Sequence, residues 1–428
     1  MNKMFKKVLS TALVGLTALS TFAGVSQVSA QEKVQVNYWH VNADTQGGKT
    51  VTELVNKFNE SQDEIEVVAT YNADMYKGLM QNMQAAVAGG NTPDLVQIGW
   101  AFVDYFSENF EYNTPQSIID QFDAENKTFI EDNFLENVRD LALNKDNEVV
   151  GLPYSVSNPV LYLNKDLLKE AGLDENGPKT WEEIREFSKV VKEKTGKYGF
   201  YLQQPADNWA TQALLESNGA NFIEDGKAAF ASEEGIEAYQ LWADMVNEDQ
   251  TAVNLPWDQG VQSFIQGEVA MLFTTIAQRT NVQSNAKFDV VTVTAPAWGE
   301  KDVRIPAGGA MLVLTSQDDA KKEATWKFMK FLYENENVLA WTAGTGYVPS
   351  TSTVKDSEEM KKFLEENPMM EAAMTQMDKV NKWASFPGQA GLEAEQLLLD
   401  MRDAILTGKK TVEEALPETQ DAINELLD

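Results

Sequence analysis

The alternation of apolar and polar residues after Gln31 predicts short strands separated by amphipathic helices. Residues 34–38 alternate as in a half-buried strand, and residues 51–58 repeat apolar side chains at helical spacing. The pattern continues with a strand, a helix and a third strand over 65–70, 74–88 and 94–99. This order is typical of a parallel sheet with helices on its faces.

The rest of the chain repeats this pattern without an obvious linker. Two capping boxes, Thr180–Glu183 and Thr411–Glu414, predict helix starts, since each pairs a capping threonine with a glutamate three residues later. Further helices are predicted from Ser232, over 257–266 and from Ser316, and strands over 269–274 and 288–294. Because no Pro/Ser-rich segment or repeat divides the chain, we expect two lobes between which the chain crosses more than once.

The ends of the predicted strands are the expected place for a ligand. Parallel sheets bind ligands beyond the carboxyl ends of their strands. Trp39, His40 and Trp100 follow the first and third predicted strands. We therefore expect them near a cleft.

Residues 1–30 are predicted to be a secretory signal peptide. Lys3, Lys6 and Lys7 precede an apolar stretch over 8–24, and Val28-Ser29-Ala30 is a suitable cleavage site. The mature protein is therefore expected outside the cytoplasm, in the periplasm or at the cell surface. Since no cysteine follows the cleavage site, we do not expect a lipoprotein anchor.

Composition excludes several classes of function. The 428 residues include 66 Asp and Glu, 35 Lys and Arg, one His and no Cys. Without cysteine there are no disulfides, thiolate metal sites or cysteine nucleophiles, and one histidine excludes a multi-histidine metal site. The net charge of −31 argues against nucleic acid and anionic lipid as partners. We expect no cofactor and no metal.

Common catalytic motifs are also missing from the sequence. It contains no nucleophile elbow, zinc-protease motif, phosphate-binding loop or dinucleotide-binding glycine motif. A serine triad would have to use His40, the only imidazole. A pair of carboxylates, as in a glycoside hydrolase, stays open because acidic residues are abundant, but no two of them stand out.

Aromatic residues in polar or glycine-rich surroundings give a more specific indication. They are Trp39, Tyr76, Trp100, Trp209, Tyr347 and Trp383. Flat rings near strand ends suit stacking on a sugar ring, whose hydroxyls would bond to neighbouring polar groups. Gly308-Gly309 would let the backbone approach such a ligand closely.

Seven stretches in sequence resemble the extracytoplasmic solute-binding proteins of ABC importers, in the carbohydrate-binding family 1. They are Tyr38–His40, Thr92–Gln97, Leu152–Asp166, Lys179–Glu183, Phe264–Met271, Gly308–Ala310 and Thr345–Pro349. The resemblance covers nearly the whole mature chain and is most marked to the members that bind glycerol-3-phosphate.

The resemblance implies an α/β, two-lobed periplasmic-binding-protein fold with parallel-type sheets and hinge strands. Crossings between lobes are expected near 155–159, 307–311 and 355–365. The first lobe would comprise 31–155 and 312–360, and the second lobe 156–311 and 361–428. The family's cleft positions correspond here to Tyr76, Trp100, Ser157, Thr275, Gly308, Gly309 and Tyr347.

The sequence departs from the glycerol-3-phosphate binders at two places. Trp100 stands where those proteins have an acid, and Glu393 lies where they have an arginine that meets the phosphate. Because a buried phosphate needs charge-assisted donors, these changes favour a neutral sugar or short oligosaccharide. Arg279 or Arg304 could still supply a cation, so a glycerol-3-phosphate or glycerophosphodiester binder remains an alternative.

The predicted function is therefore a monomeric, non-enzymatic receptor that delivers its ligand to an ABC permease and its ATPase. Trp39, Trp100 and Trp209 are expected to stack on the ligand, and Tyr76, Asn158, Thr275 and Tyr347 to hydrogen-bond it. Ser157 and Gly309 would contact it where the chain crosses between lobes. A secreted glycoside hydrolase and a non-closing adhesin are the alternatives from other classes.

Overall fold

The computed structural model describes residues 33–204, 207–384, 386, 388 and 390–427, so the predicted signal peptide lies outside the described residues. The strands are β1 Val34–His40, β2 Ile65–Tyr71, β3 Leu95–Gly99, β4 Leu152–Ser157, β5 Pro159–Asn164, β6 Tyr198–Leu202, β7 Ile223–Glu224, β8 Lys227–Ala228, β9 Val269–Thr275, β10 Val290–Val293, β11 Ile305–Pro306, β12 Gly308–Leu314 and β13 Val380–Asn381.

The helices lie between these strands and after the last of them, and the two longest of those described, with 16 residues each, come last. They are α1 Gly48–Ser61, α2 Met75–Gly89, α3 Val103–Asn109, α4 Pro115–Phe122, α5 Phe129–Asn133, α6 Glu136–Arg139, α7 Lys165–Glu170, α8 Trp181–Thr195, α9 Trp209–Ser217, α10 Glu233–Asn247, α11 Trp257–Ile265, α12 Arg279–Asn285, α13 Asp319–Leu332, α14 Asn335–Thr345, α15 Ser352–Lys355, α16 Glu358–Glu366, α17 Glu371–Thr375, α18 Gly391–Leu406 and α19 Val412–Leu427. In the described part of the chain, no helix has the length and apolarity needed to cross a membrane.

The first of two large sheets has five strands in the order β2-β1-β3-β12-β4. β1 pairs in parallel with β2 and β3, as the strand–helix–strand pattern predicts. β12 joins from far along the chain and pairs antiparallel with both β3 and β4. The sheet is therefore mixed, because one central strand arrives by a long-range return that local periodicity does not reveal.

The second large sheet has four strands in the order β10-β5-β9-β6 and is also mixed. Only β6 and β9 pair in parallel, whereas β5 runs antiparallel to both β9 and β10. Strands β5 and β9 are buried along their whole length. Strands that are covered on both faces have nearly continuous apolar sequences, as β5 and β9 do over most of their length.

The chain passes between the two large sheets at defined points. β4 ends at Ser157 and β5 begins at Pro159, so Asn158 lies between the sheets. β11 pairs with β13, and β12 enters the first sheet directly after Ala307. Both points fall within the predicted crossings, and α15 and α16 occupy the region of the third. The predicted lobe limits themselves remain a prediction.

A half-buried ion pair lies beside the start of β3 and the end of the return strand β12. The carboxylate of Asp94 accepts hydrogen bonds from Lys321 Nζ at 2.9 Å and from Ser316 Oγ at 2.6 Å. The backbone N–H of Asn37 donates to the same carboxylate at 2.9 Å. These donors satisfy a charge that burial would otherwise make costly, and they join β1 to the segment after β12.

We predict that Gly309→Ala destabilises the fold more than Gly219→Ala does. Both glycines have positive φ, +106° and +96°, so an alanine is strained at either position. A Cβ at Gly309 would lie 2.0 Å from the carbonyl oxygen of Ser155, whereas a Cβ at Gly219 meets nothing within 4 Å. Chemical denaturation should show a loss of about 1 kcal/mol for Gly219→Ala and about 3 kcal/mol or more for Gly309→Ala. Equal losses would contradict the close strand approach.

Candidate ligand-binding site

A pocket lies where the carboxyl ends of strands from both large sheets meet, and we call it the central pocket. Its lining residues are Gln46, Met75, Tyr76, Ser157, Gln203, Asp207, Trp209, Trp257, Thr275, Gly308, Gly309, Tyr347 and Trp383. About 330 Å³ of space is free of protein atoms, of which about 30 Å³ can hold the centre of a water molecule. The latter is room for about two waters.

Hydrogen bonds join the strand ends that form the pocket. Ser157 ends β4, Thr275 ends β9, and the hydroxyl of Thr275 donates to that of Ser157 at 3.0 Å. Gln203 follows β6, and its side-chain oxygen accepts from the backbone N–H of Thr275 at 3.2 Å. The end of the first sheet is thus linked directly to the end of the second.

Three tryptophans present ring surfaces to the pocket. Trp209 and Trp257 begin helices α9 and α11, and their indole N–H groups donate to Pro306 O and Thr274 Oγ1, both at 3.2 Å. The ring of Trp383 lies 6.2 Å from that of Trp209. Because the indole N–H groups of Trp209 and Trp257 already donate to other residues, these side chains offer a ligand only apolar ring area.

Two tyrosines add polar groups to the same space. The ring of Tyr76 lies 6.3 Å from that of Trp383 at an interplanar angle of 80°. Among the described residues, the buried hydroxyl of Tyr76 has no hydrogen-bond partner of good geometry. Burial and the neighbouring Tyr347 hold the pKa of Tyr76 well above its usual value, and burial raises the pKa of Tyr347 to about 12. Both phenols therefore stay protonated and can donate to a ligand.

A buried acidic pair lies in and behind the pocket wall. Asp207 accepts from the backbone N–H of Trp209 at 3.2 Å, and burial raises its pKa to about 7. Behind it, Glu395 of α18 accepts from Asn208 Nδ2 at 3.1 Å, and burial, aided by the charge of Asp207, raises its pKa to about 7. Arg402 approaches the backbone oxygen of Asp207 at 3.5 Å and partly offsets the cost of burying its charge.

Seven of the ten predicted site residues line the central pocket. They are Tyr76, Ser157, Trp209, Thr275, Gly308, Gly309 and Tyr347. Their contact with a ligand remains a prediction, but the structure brings them together.

The other three predicted residues do not line the pocket. Trp100 is fully buried, and its indole N–H donates to Gly308 O at 3.1 Å, so it supports the pocket from behind. Asn158 is buried and donates to Ala373 O at 2.8 Å. Trp39 is half-buried and packs on the hydrophobic core. Strand ends are visible in the sequence, but the direction of each side chain there is not.

Six lining residues were not selected from the sequence, namely Gln46, Met75, Gln203, Asp207, Trp257 and Trp383. Trp383 belongs to the aromatic set that the sequence does indicate. Trp257 and Asp207 carry weaker signals, since each lies at or just before the start of a helix. Nothing local separates them from ordinary helix starts.

The two arginines considered for a phosphate are used elsewhere. Arg279 donates to Asn367 Oδ1 at 3.0 Å and to Ala343 O at 2.8 Å. Arg304 donates to Asn221 Oδ1 at 3.3 Å. Neither lines the pocket. In the described part of the chain, no group of three or more acidic, histidine or cysteine side chains is placed to hold a metal ion.

Comparison with known proteins identifies the family. Residues 53–372 match the model of the bacterial extracellular solute-binding proteins. The chain belongs to this family. Curated relatives include the sn-glycerol-3-phosphate-binding periplasmic protein UgpB of Shigella dysenteriae, 27% identical over 93% of this chain and 94% of the relative. UgpB of Pectobacterium atrosepticum is 25% identical, and the match covers 93% of this chain and 92% of the relative.

Solved structures share the fold of this chain. UgpB of Mycobacterium tuberculosis in complex with glycerophosphocholine has a TM-score of 0.80 at 18% identity, covering 93% of this chain and 99% of its own. Maltose-bound MalE3 of T. maritima has a TM-score of 0.80 at 20% identity, and the match covers 92% of this chain and 100% of MalE3. The predicted two-lobed α/β fold of solute-binding proteins is confirmed, with sheets that are mixed.

We predict that the single histidine titrates far below its ordinary range. His40 is buried, and its Nδ1 accepts from the backbone N–H of Asn42 at 3.2 Å, which requires the neutral ring. Burial lowers its pKa to about 4. The stability that the neutral ring contributes is therefore complete above the pKa of an unfolded histidine, about 6.5, and is lost as the pH falls from there towards 4. The lone imidazole signal in NMR should show this midpoint and return to about 6.5 in denaturant. A native midpoint near 6.5 would contradict it.

We also predict that Asp207 lowers stability as the pH rises. Its raised pKa means that the folded state holds a proton that the unfolded state releases near pH 4. The unfolding free energy of the wild type relative to Asp207→Asn should fall by about 2–4 kcal/mol between pH 4 and 7. Denaturation at several pH values measures this, with the solvent-exposed Asp63→Asn as control. A difference that is independent of pH would refute the burial of this carboxyl.

Proposed function

We propose that this protein captures a sugar or short oligosaccharide without a phosphate and delivers it to a membrane permease of an ABC importer. One observation carries this proposal: the central pocket combines five aromatic rings with hydroxyl and amide groups from both large sheets. Apolar ring faces suit the C–H faces of a sugar, and the polar groups suit its hydroxyls. The names of the family's structural neighbours, which include maltose and glycerophosphocholine complexes, are compatible with it.

Binding would require the walls of the pocket to separate. The pocket has room for about two waters, which is less than a sugar ring needs. Asn158 and Ala307 lie between the sheets and are the points about which they could move. A ligand that contacts Ser157 and Gly309 together with Trp209 would favour the closed state.

The phosphate alternative has support in the names of the curated relatives but not in the pocket. A buried phosphate needs cationic or multiple N–H donors. Here the only ionisable groups among the lining residues are Asp207 and the two tyrosines, while Arg279 and Arg304 bond elsewhere. Glycerol-3-phosphate is therefore the second candidate, and a phosphate-free sugar is preferred.

Catalysis is not part of the proposal. A glycoside hydrolase needs two carboxylates facing the scissile bond. Among the described lining residues only Asp207 carries a carboxylate, and Glu395 lies behind the wall, bonded to Asn208. We propose a monomeric receptor at the cell surface or in the periplasm that uses no cofactor and does not bind nucleic acid. The ATPase would be a separate chain.

We predict that Trp383→Ala weakens sugar binding about tenfold or more, because the ring forms one wall of the pocket. A thermal-shift screen of mono- and oligosaccharides and glycerophosphodiesters would first find the ligand, since ligands of the folded state raise the Tm. Calorimetry would then compare the wild type with Trp383→Ala. Tyr198→Ala is the control, since Tyr198 is exposed at the opposite end of β6.

Three outcomes would overturn parts of the proposal. Binding of glycerol-3-phosphate without any sugar would reverse the order of the two candidates. Release of products from a bound oligosaccharide would show catalysis. Unchanged affinity in Trp383→Ala would place the ligand outside the central pocket.

A further inference from the structure

The central pocket also has a definite electrostatic character. We propose that its ligand carries a positively charged group, a protonated amine or a quaternary ammonium, which sits between the ring faces and the carboxylate of Asp207. This rests on the proposed function and narrows its ligand class to amino sugars or ammonium-bearing polyols.

The first support is the arrangement of the rings. Tyr76, Trp383 and Trp209 form successive walls, with centroids 6.3 Å and 6.2 Å apart and interplanar angles of 80° and 53°. All three rings line the pocket, and a cation within about 6 Å of a ring face is attracted by the negative charge of that face. Trp257 and Tyr347 add two further rings to the lining.

The second support is the sign of the fixed charges. Asp207 lines the pocket, and no Lys or Arg does so among the described residues. Residues 205, 206, 385, 387 and 389, which the structure does not describe, are Pro, Ala, Ser, Pro and Gln in the sequence, so none of them is basic. Asp74 and Asp258 are the chain neighbours of the lining residues Met75 and Trp257. Together with burial, their charges raise the pKa of Tyr71, which places all three near one another.

The basic groups near Asp207 do not remove this negative character. Arg402 reaches the backbone oxygen of Asp207, and its charge lowers the pKa of the carboxyl by less than burial raises it. Lys77 acts on Glu395. Glu395 and the neutral Tyr76 are the other titratable groups that face it. Because burial keeps Asp207 only partly ionised near neutral pH, a bound cation would stabilise its charged form. Cation binding should therefore weaken as the pH falls below about 7.

Matched pairs of probes test the proposal. Choline and 3,3-dimethyl-1-butanol have the same shape, as nearly do glucosamine and glucose, but only one member of each pair carries a positive charge. Calorimetry above pH 7 at low ionic strength should show at least about a tenfold preference for the charged member in the wild type. Asp207→Asn should lose most of that preference.

The control is Asp63→Asn, an exposed aspartate outside the pocket, which should keep the wild-type preference. Asp207→Asn is expected to fold, because the asparagine oxygen can still accept the hydrogen bond from the backbone N–H of Trp209. Circular dichroism would check this. Equal affinities for both members in the wild type, or an undiminished preference in Asp207→Asn, would overturn the cationic ligand but leave sugar binding intact. Failure of every sugar and every ammonium probe to bind would overturn the proposed function as well.

Discussion

The close approach of β12 to the end of β4 is the constraint on which the central pocket depends. A Cβ at Gly309 would lie 2.0 Å from Ser155 O, and one at Gly308 would lie 2.5 Å from Ser157 Oγ and 2.8 Å from the ring of Trp209. Only glycines permit this contact. As a result, backbone forms one wall of the pocket, and a residue of α9 rests directly on a strand of the first sheet.

The same junction links the two large sheets. Ser157 and Thr275 end strands of different sheets and are bonded to each other at 3.0 Å. Any separation of the sheets must break or bend this contact, so a ligand that bridges the two sides would compensate for its loss. The buried acid Asp207 adds a charge whose cost the protein offsets only in part, through Arg402 and the N–H of Trp209. Such a partly unsatisfied group is typical of a binding site rather than of a core.

Much of the central pocket was predictable because several of its lining residues, such as Ser157, Gly308 and Gly309, lie in the family's sequence motifs. Gly308, Gly309, Ser157 and Thr275 lie at strand ends or starts that the sequence marks clearly. Side-chain direction was not predictable. Trp100 follows β3 as expected, yet its indole bonds to Gly308 O behind the wall, while Trp257 enters the pocket from a helix start with no distinctive motif.

The sequence by itself predicted the parallel pairing of the first three strands, from periodicity, and the two-lobed α/β class, from the family resemblance. Periodicity suffices for the first because it depends on residues close together in the chain, and a series of short motifs suffices for the second. The glycine pair and most of the aromatic residues that the sequence indicates line the central pocket. Only the tertiary structure decided that both sheets are mixed, that Asp207 and Glu395 lie together, and that none of the described arginines lines the pocket. Each of these depends on contacts between segments far apart in sequence, for which no local pattern exists.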